Sequence, residues 1–153
     1  HDNMLYSDLT IRENLEFVAG LFGIENIYKT VNDIGTTFEL GRIMETRIRY
    51  LSHGQARRVA IAKAFIHKPK LLLLDEPESG LDAISLELLH EETNRLRSTG
   101  TTVLMTSHSF GTTNNICDRV VILNNSKIIC DKKLNEISSS EINRLILKRN
   151  TGQ

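Results

Sequence analysis

Leu71-Leu72-Leu73-Leu74-Asp75-Glu76 ends a short apolar run on two consecutive carboxylates. A carboxylate at the carboxyl end of a buried parallel strand stands where open α/β sheets bind ligands. Asp75 can hold Mg²⁺ there, directly or through water, because Mg²⁺ keeps several waters and takes few protein carboxylates. Glu76, one residue on, would then face an attacking water. A strand that simply ends in a polar loop has the same pattern, so the pair alone does not decide. About twenty residues upstream stands Leu51-Ser52-His53-Gly54-Gln55, followed by Arg57-Arg58. Ser52 and Gly54 at a helix start offer a hydroxyl and bare backbone amides to an anion, aided by the helix dipole. Ser and Gly also cap many helices that bind nothing. His108 follows a β-rich segment, a place from which an imidazole can bond a phosphoryl oxygen and orient a water, or can be purely structural.

The elements that must position these residues change character at Pro69. Before it the chain reads as helical. Thr10 and Glu13 form a capping box ahead of Ile11, Leu15, Val18 and Phe22, with Gly23 as a stop. Ile27, Val31, Ile34 and Phe38 repeat the helical rhythm up to Gly41, and a third helix is expected from about Gly54 to about Lys68. After Pro69, the run Leu71 to Asp75 reads as a strand buried on both faces. A helix from Ala83 to Ser98 follows, then strands at Thr101 to Thr106 and Arg119 to Leu123. Asn124-Asn125-Ser126 turns the chain into a hairpin partner, Lys127 to Cys130. Ile142, Leu145 and Ile146 mark a terminal amphipathic helix. Strands alternating with helices imply an α/β fold with a doubly wound, mostly parallel sheet.

Composition narrows the options without choosing among them. The 153 residues suffice for one domain with a real core, and 19 basic residues balance 19 acidic ones. No global field therefore points to nucleic acid or to a membrane surface. The apolar runs are far too short to span a bilayer. Cys117 and Cys130, without ligand-like spacing, read as reduced thiols. Of the five histidines, His67 and His90 have no motif around them and are expected at the surface, and Arg57 and Arg58 are expected on a solvated helix face.

Taken in order, these motifs resemble the ATP-binding-cassette (ABC) proteins. Leu51 to Gln55 resembles the LSGGQ signature, Leu71 to Pro77 the Walker B strand with its glutamate, and Ser79 to Asp82 the D-loop. Thr102 to His108 resembles the strand and switch histidine, while Cys117 to Val120 and Lys127 to Ile129 echo the stretch beyond it. Met4 to Thr10 with Glu13-Asn14-Leu15 resembles the segment just after the Q-loop. The likeness covers nearly the whole chain, and its upstream and downstream segments look most like the exporter branch, including haem-, drug- and polysaccharide-exporter ATPases.

The resemblance implies a P-loop NTPase-like fold and a mechanism. Two such domains would stack head to tail, as a homo- or heterodimer, and trap ATP with Mg²⁺ between them. Asp75 would hold the metal, and Glu76 and His108 would be catalytic. Ser52, His53, Gly54 and Gln55 would reach the ATP of the partner subunit, and Asp82 would lie in the D-loop crossing the interface. Residues 1–68 would be a helical subdomain with the end of the Q-loop, and its segment from Leu5 to Glu45 would meet transmembrane permease subunits. Residues 69–130 would be the C-terminal half of the ATPase core and 131–153 a helical tail. The whole would work at the cytoplasmic face of a membrane, with no nucleic acid partner.

Three departures accompany the likeness. No G-x-x-x-x-G-K-[ST] occurs, so the phosphate-gripping loop and roughly the first third of such a domain are expected to lie outside this chain, which also opens on His1 instead of methionine. His1 falls at the Q-loop glutamine position. His53 replaces a glycine, which is tolerable unless its backbone needs φ > 0. Two other readings stay open: a soluble ABC ATPase of translation or DNA repair, and a non-catalytic ABC-like binding module. Without its phosphate loop, the isolated chain is expected to be inactive.

Overall fold

The computed structural model describes residues 4–108, 110–113 and 116–150. Helix α1 (Ile11–Leu21) starts where the sequence places it. The Glu13 amide donates to Thr10 Oγ1 at 3.1 Å and the Thr10 amide donates to Glu13 Oε2 at 2.7 Å, closing the capping box. Ile11, Leu15 and Ala19 are buried on one face. Gly23 follows the helix at φ +65°, the left-handed conformation that ends helices most easily without a Cβ. Helix α2 (Ile27–Thr37) is capped by the Asn26 side chain and buries Val31 and Ile34. Helix α3 (His53–Phe65) buries Val59, Ile61, Ala62 and Phe65. It ends about a turn before the expected stop at Lys68, because the chain has already turned there: Lys68 has φ +45° and donates its amide to Phe65 O.

A buried polar group locks the entry to α1. Asn14, 1% exposed, accepts from the Tyr6 amide at 2.8 Å. It also donates to Tyr6 O at 3.1 Å and to Thr10 O at 2.8 Å, so the incoming loop hydrogen-bonds to the helix flank.

Strand β1 (Leu71–Asp75), helix α4 (Ala83–Ser98) and strand β2 (Thr102–Thr106) form a crossover, with β1 and β2 parallel in the register Leu71↔Thr102 to Asp75↔Thr106. Leu72 and Leu74 join Val59, Phe65, Leu89 and Leu96 in the main core, with Val103 and Met105 packed against it. Burial on both faces of β1 is corrected by the structure. Leu71 and Leu73 are 56% and 63% exposed and Leu104 is 63% exposed, because the described helices cover only the Leu72–Leu74 face. A run of four leucines cannot distinguish these cases, since its period is silent about how many faces are covered.

The chain divides into two compact units at the Thr106–Ser107 bond. The second contains α5 (Phe110–Thr113), an antiparallel hairpin of β3 (Arg119–Asn124) and β4 (Lys127–Lys133), and α6 (Ser139–Asn150). Asn125 and Ser126 at φ +46° and +59° make the two-residue turn whose twist suits a hairpin. Phe110, Ile122, Cys130, Ile137 and Ile142 form its core. No helix among the described residues is long and apolar enough to cross a membrane.

His67, expected at the surface, is half-buried. Its ring stacks on Phe22 at 3.9 Å and 6° between planes, and its Nδ1 is enclosed without a partner. His90 is also half-buried. Burial pushes the His67 imidazole below its ordinary value of 6.5.

Asn14→Ala strands the Tyr6 amide and takes one of two donors from the carbonyls of Tyr6 and Thr10, which keep the Leu9 and Asn14 amides, and should cost about 2 kcal/mol in urea unfolding; a change under about 0.5 kcal/mol would show the loop is held otherwise. The folded chain prefers neutral His67, so the unfolded chain takes up the proton first as pH falls. The contribution is present above about pH 6.5 and is lost as pH drops through and below it. His67→Phe should flatten the fall in Tm between about pH 7.5 and about pH 5.5; an unchanged slope would exonerate His67.

Candidate functional site

The end of β1 is built by three elements. Asp75 is exposed and Glu76 half-buried at the strand's carboxyl end. The register partner of Asp75 is Thr106, whose hydroxyl donates to Asp75 Oδ1. The Glu76 amide donates to Thr106 Oγ1 at 3.0 Å and to Thr106 O at 3.2 Å. One threonine at the end of β2 thereby orients the first carboxylate and fastens the backbone of the second. Glu76 has φ +43°, a left-handed conformation that costs a non-glycine residue roughly 1–2 kcal/mol. Arg57 of α3 lies against this bend. Its Nη2 donates to Asp75 O at 3.1 Å and to Glu76 O at 2.8 Å, and hydrogen bonds from a charged group are strong enough, at about 1.5–3 kcal/mol, to hold it.

Arg57 and Arg58 are therefore not on a solvated face. Both are half-buried and both reach across to the segment that follows β1. Arg58 pairs with Asp82 at 3.3 Å. Asp82 also caps α4, accepting from the Ser85 amide at 2.7 Å, and the Ser85 side chain, then that amide, then the Arg58 charge hold its carboxyl below the ordinary value.

Ser52 caps α3. The Gln55 amide donates to Ser52 Oγ at 3.2 Å and the Ser52 amide donates to Gln55 Oε1 at 2.9 Å. The lone pairs used here are internal; the Ser52 hydroxyl proton and the Gln55 amide group keep their donor capacity for an anion. His53 begins the helix with ordinary helical backbone, so replacing the family's glycine needs no left-handed φ. Its ring lies on Gly80, where an added Cβ would meet His53 ring atoms at 3.1 Å, and Gly54 approaches Gly80 O. Gly80 itself has φ +75°. His53 and Gly54 are thus packed beside Gly80 within one chain.

His108, exposed, follows Thr106 by two residues and opens the second unit. His1 lies outside the described residues. Among the described residues no three metal-ligating side chains converge. An exposed carboxylate with one oxygen engaged by a hydroxyl suits a largely hydrated Mg²⁺ brought by a ligand, and does not suit an ion caged by protein alone. Thr106 and Arg57 were not singled out by their motifs. The signal available for Arg57 was its place at i−4 from buried Ile61 on α3, which points it toward the core side.

Residues 1–79 match the ABC transporter family. The chain is 34% identical over 139 residues to the uncharacterised ABC transporter ATP-binding protein YhaQ of Bacillus subtilis, covering 89% of this chain and 46% of that protein. It spans about half the length of the curated relatives it matches. Among solved structures, an ATP-binding subunit of an ABC transporter superposes with a TM-score of 0.85 at 27% identity, over 95% of this chain and 65% of that one. A dimeric ATP-binding cassette in a post-hydrolysis state, bound to ADP and Pi, superposes with a TM-score of 0.76 at 26% identity, over 86% of this chain and 60% of that one. The fold, the ordered motifs and these likenesses agree: the chain belongs to the ABC transporter family and has the α/β fold of the P-loop NTPases.

Proposed function

We propose that the subunit containing this chain couples ATP binding and hydrolysis, in a head-to-tail dimer, to transport across a membrane in the export direction. The observation that carries the reading is the paired carboxylate Asp75-Glu76 at the open end of a parallel strand, fastened from both sides by Thr106 and Arg57. Phosphoryl transfer asks the protein mainly for positioning and charge neutralisation, and a rigid carboxylate pair provides positioning. Asp75 would hold the Mg²⁺ of the nucleotide. That ion would neutralise charge on the phosphates. Glu76 would orient the attacking water and take its proton, and His108 would donate to the terminal phosphate. The Ser52 hydroxyl and the first amides of α3 would donate to the nucleotide of the partner subunit, with His53, Gly54 and Gln55 beside them and Asp82 carrying the D-loop to the same interface. The dimeric ATP-binding cassette similar to this chain supports the pairing.

Residues 1–68 would form the helical subdomain, with Leu5 to Glu45 meeting membrane permease subunits, 69–130 the ATPase core half, and 131–153 the tail. The assembly would then sit peripherally at the cytoplasmic face of the membrane. Export rests on the likeness of Leu5 to Thr10 and Cys117 to Val120 to exporter ATPases.

In the complete subunit, Glu76→Gln should keep Mg-ATP binding while lowering turnover by about 10² or more, the scale for losing a general base. His108→Ala should slow hydrolysis and spare binding. Near-normal rates in Glu76→Gln would remove Glu76 as the water-activating residue. The 153-residue chain by itself lacks a lysine-bearing phosphate loop, which supplies most triphosphate affinity. Titrating it with Mg-ATP in a calorimeter should give no measurable heat; micromolar affinity would mean the phosphates are gripped by other residues.

A further inference from the structure

In an extended strand, successive carbonyls point in opposite directions, so one donor cannot serve two in a row. At the end of β1 the carbonyls of Asp75 and Glu76 converge on a single nitrogen, Nη2 of Arg57, at 3.1 and 2.8 Å. The left-handed φ of +43° at Glu76 turns the intervening peptide and brings them together. Glu76 O also accepts from the Ser79 amide at 3.1 Å, so the same oxygen joins the Arg57 contact to the turn that leads into the D-loop. Arg57, Ala60, Ile61 and Ala64 of α3 line a shallow pocket with Leu74, Asp75 and Pro77. Its Nε is enclosed without a partner, so the guanidinium is tied to the bend through Nη2. Arg58, next in sequence, goes elsewhere, to Asp82.

We propose that Arg57 is a positioning residue for the hydrolytic step: it clamps the Asp75–Glu76 backbone in the left-handed bend that aims the Glu76 carboxylate. It acts through main-chain oxygens and not through the nucleotide. This rests on the reading of Glu76 as the water-orienting base, and the test separates the two. A residue that only aims another group changes kcat and leaves the KM for Mg-ATP alone. Arg57→Met keeps a long unbranched apolar side chain at the pocket and removes both hydrogen bonds. Arg57→Lys keeps a cation that can reach one carbonyl and lacks the enclosed Nε–H.

In the complete subunit, Arg57→Met should lower kcat about tenfold with KM for Mg-ATP changed less than about twofold, as expected of a misplaced catalytic group. Arg57→Lys should recover most of the loss. In the Glu76→Gln background Arg57→Met should add nothing, since the group it aims is already disabled. Independently of turnover, hydrogen exchange without nucleotide should quicken by about tenfold or more at the Glu76 and Ser79 amides of Arg57→Met and stay unchanged at Leu72 and Leu74. Wild-type protection at Glu76 and Ser79 overturns the proposal whether or not ATP is hydrolysed. So does faster exchange at Leu72 and Leu74 to the same degree, which would make Arg57 a fold-stabilising residue only. Normal turnover in Glu76→Gln alone would sink the reading of Glu76, and the exchange data would still decide for or against the clamp.

Discussion

Strand pairing between β1 and β2 is the constraint on which the rest of the site hangs. The register that puts Asp75 opposite Thr106 brings one hydroxyl and one carbonyl to bear on two successive residues. A parallel pair needs a crossover, and α4 supplies it, so the spacing from Asp75 to Thr106 is filled by a helix whose own cap is Asp82. A slip of one residue would exchange the faces of the strand, exposing Leu72 and Leu74 and burying Leu71 and Leu73 against α3 and α4. The carboxylate geometry and the hydrophobic core are therefore set by the same alignment.

Helix α3 carries that geometry to a second locus. Its first turn holds Ser52 and Gln55 in a reciprocal cap, and its next turn sends Arg57 to the end of β1 and Arg58 to Asp82. Its far end buries Phe65 against Phe38. One rigid element thus spans the signature segment, the carboxylate bend and the main core. Movement of the signature segment relative to the Asp75–Glu76 bend requires breaking at least one charged contact, which is the mechanical property expected where two parts of a site work in concert.

Much of this was legible in the residues, and what was legible was local. The Thr10–Glu13 box, the span Ala83 to Ser98 and the Asn125–Ser126 turn each rest on partners within a few residues, so the order of amino acids contains the whole interaction. The carboxylate pair and the signature segment were found as ordered motifs. Arg57 was misjudged because its partners lie 18 and 19 residues away and are backbone oxygens, which have no side-chain identity to announce them. His67 was misjudged for a related reason: its partner, Phe22, is on a different element, and an aromatic stack leaves no spacing rule. The leucines of β1 misled because a uniformly apolar run has no period from which to count faces.

The meeting of His53 and Gly80 has a consequence for how this sequence can change over generations. The histidine ring occupies the volume that any side chain at residue 80 would enter, and residue 80 also holds a backbone angle that favours glycine. Substitutions at these two positions are consequently not exchangeable in order. A lineage that first shrinks residue 53 removes the steric half of the barrier at residue 80, whereas one that first enlarges residue 80 meets ring and backbone strain together. The pair should drift as a ratchet, with histidine at 53 keeping glycine at 80 in place.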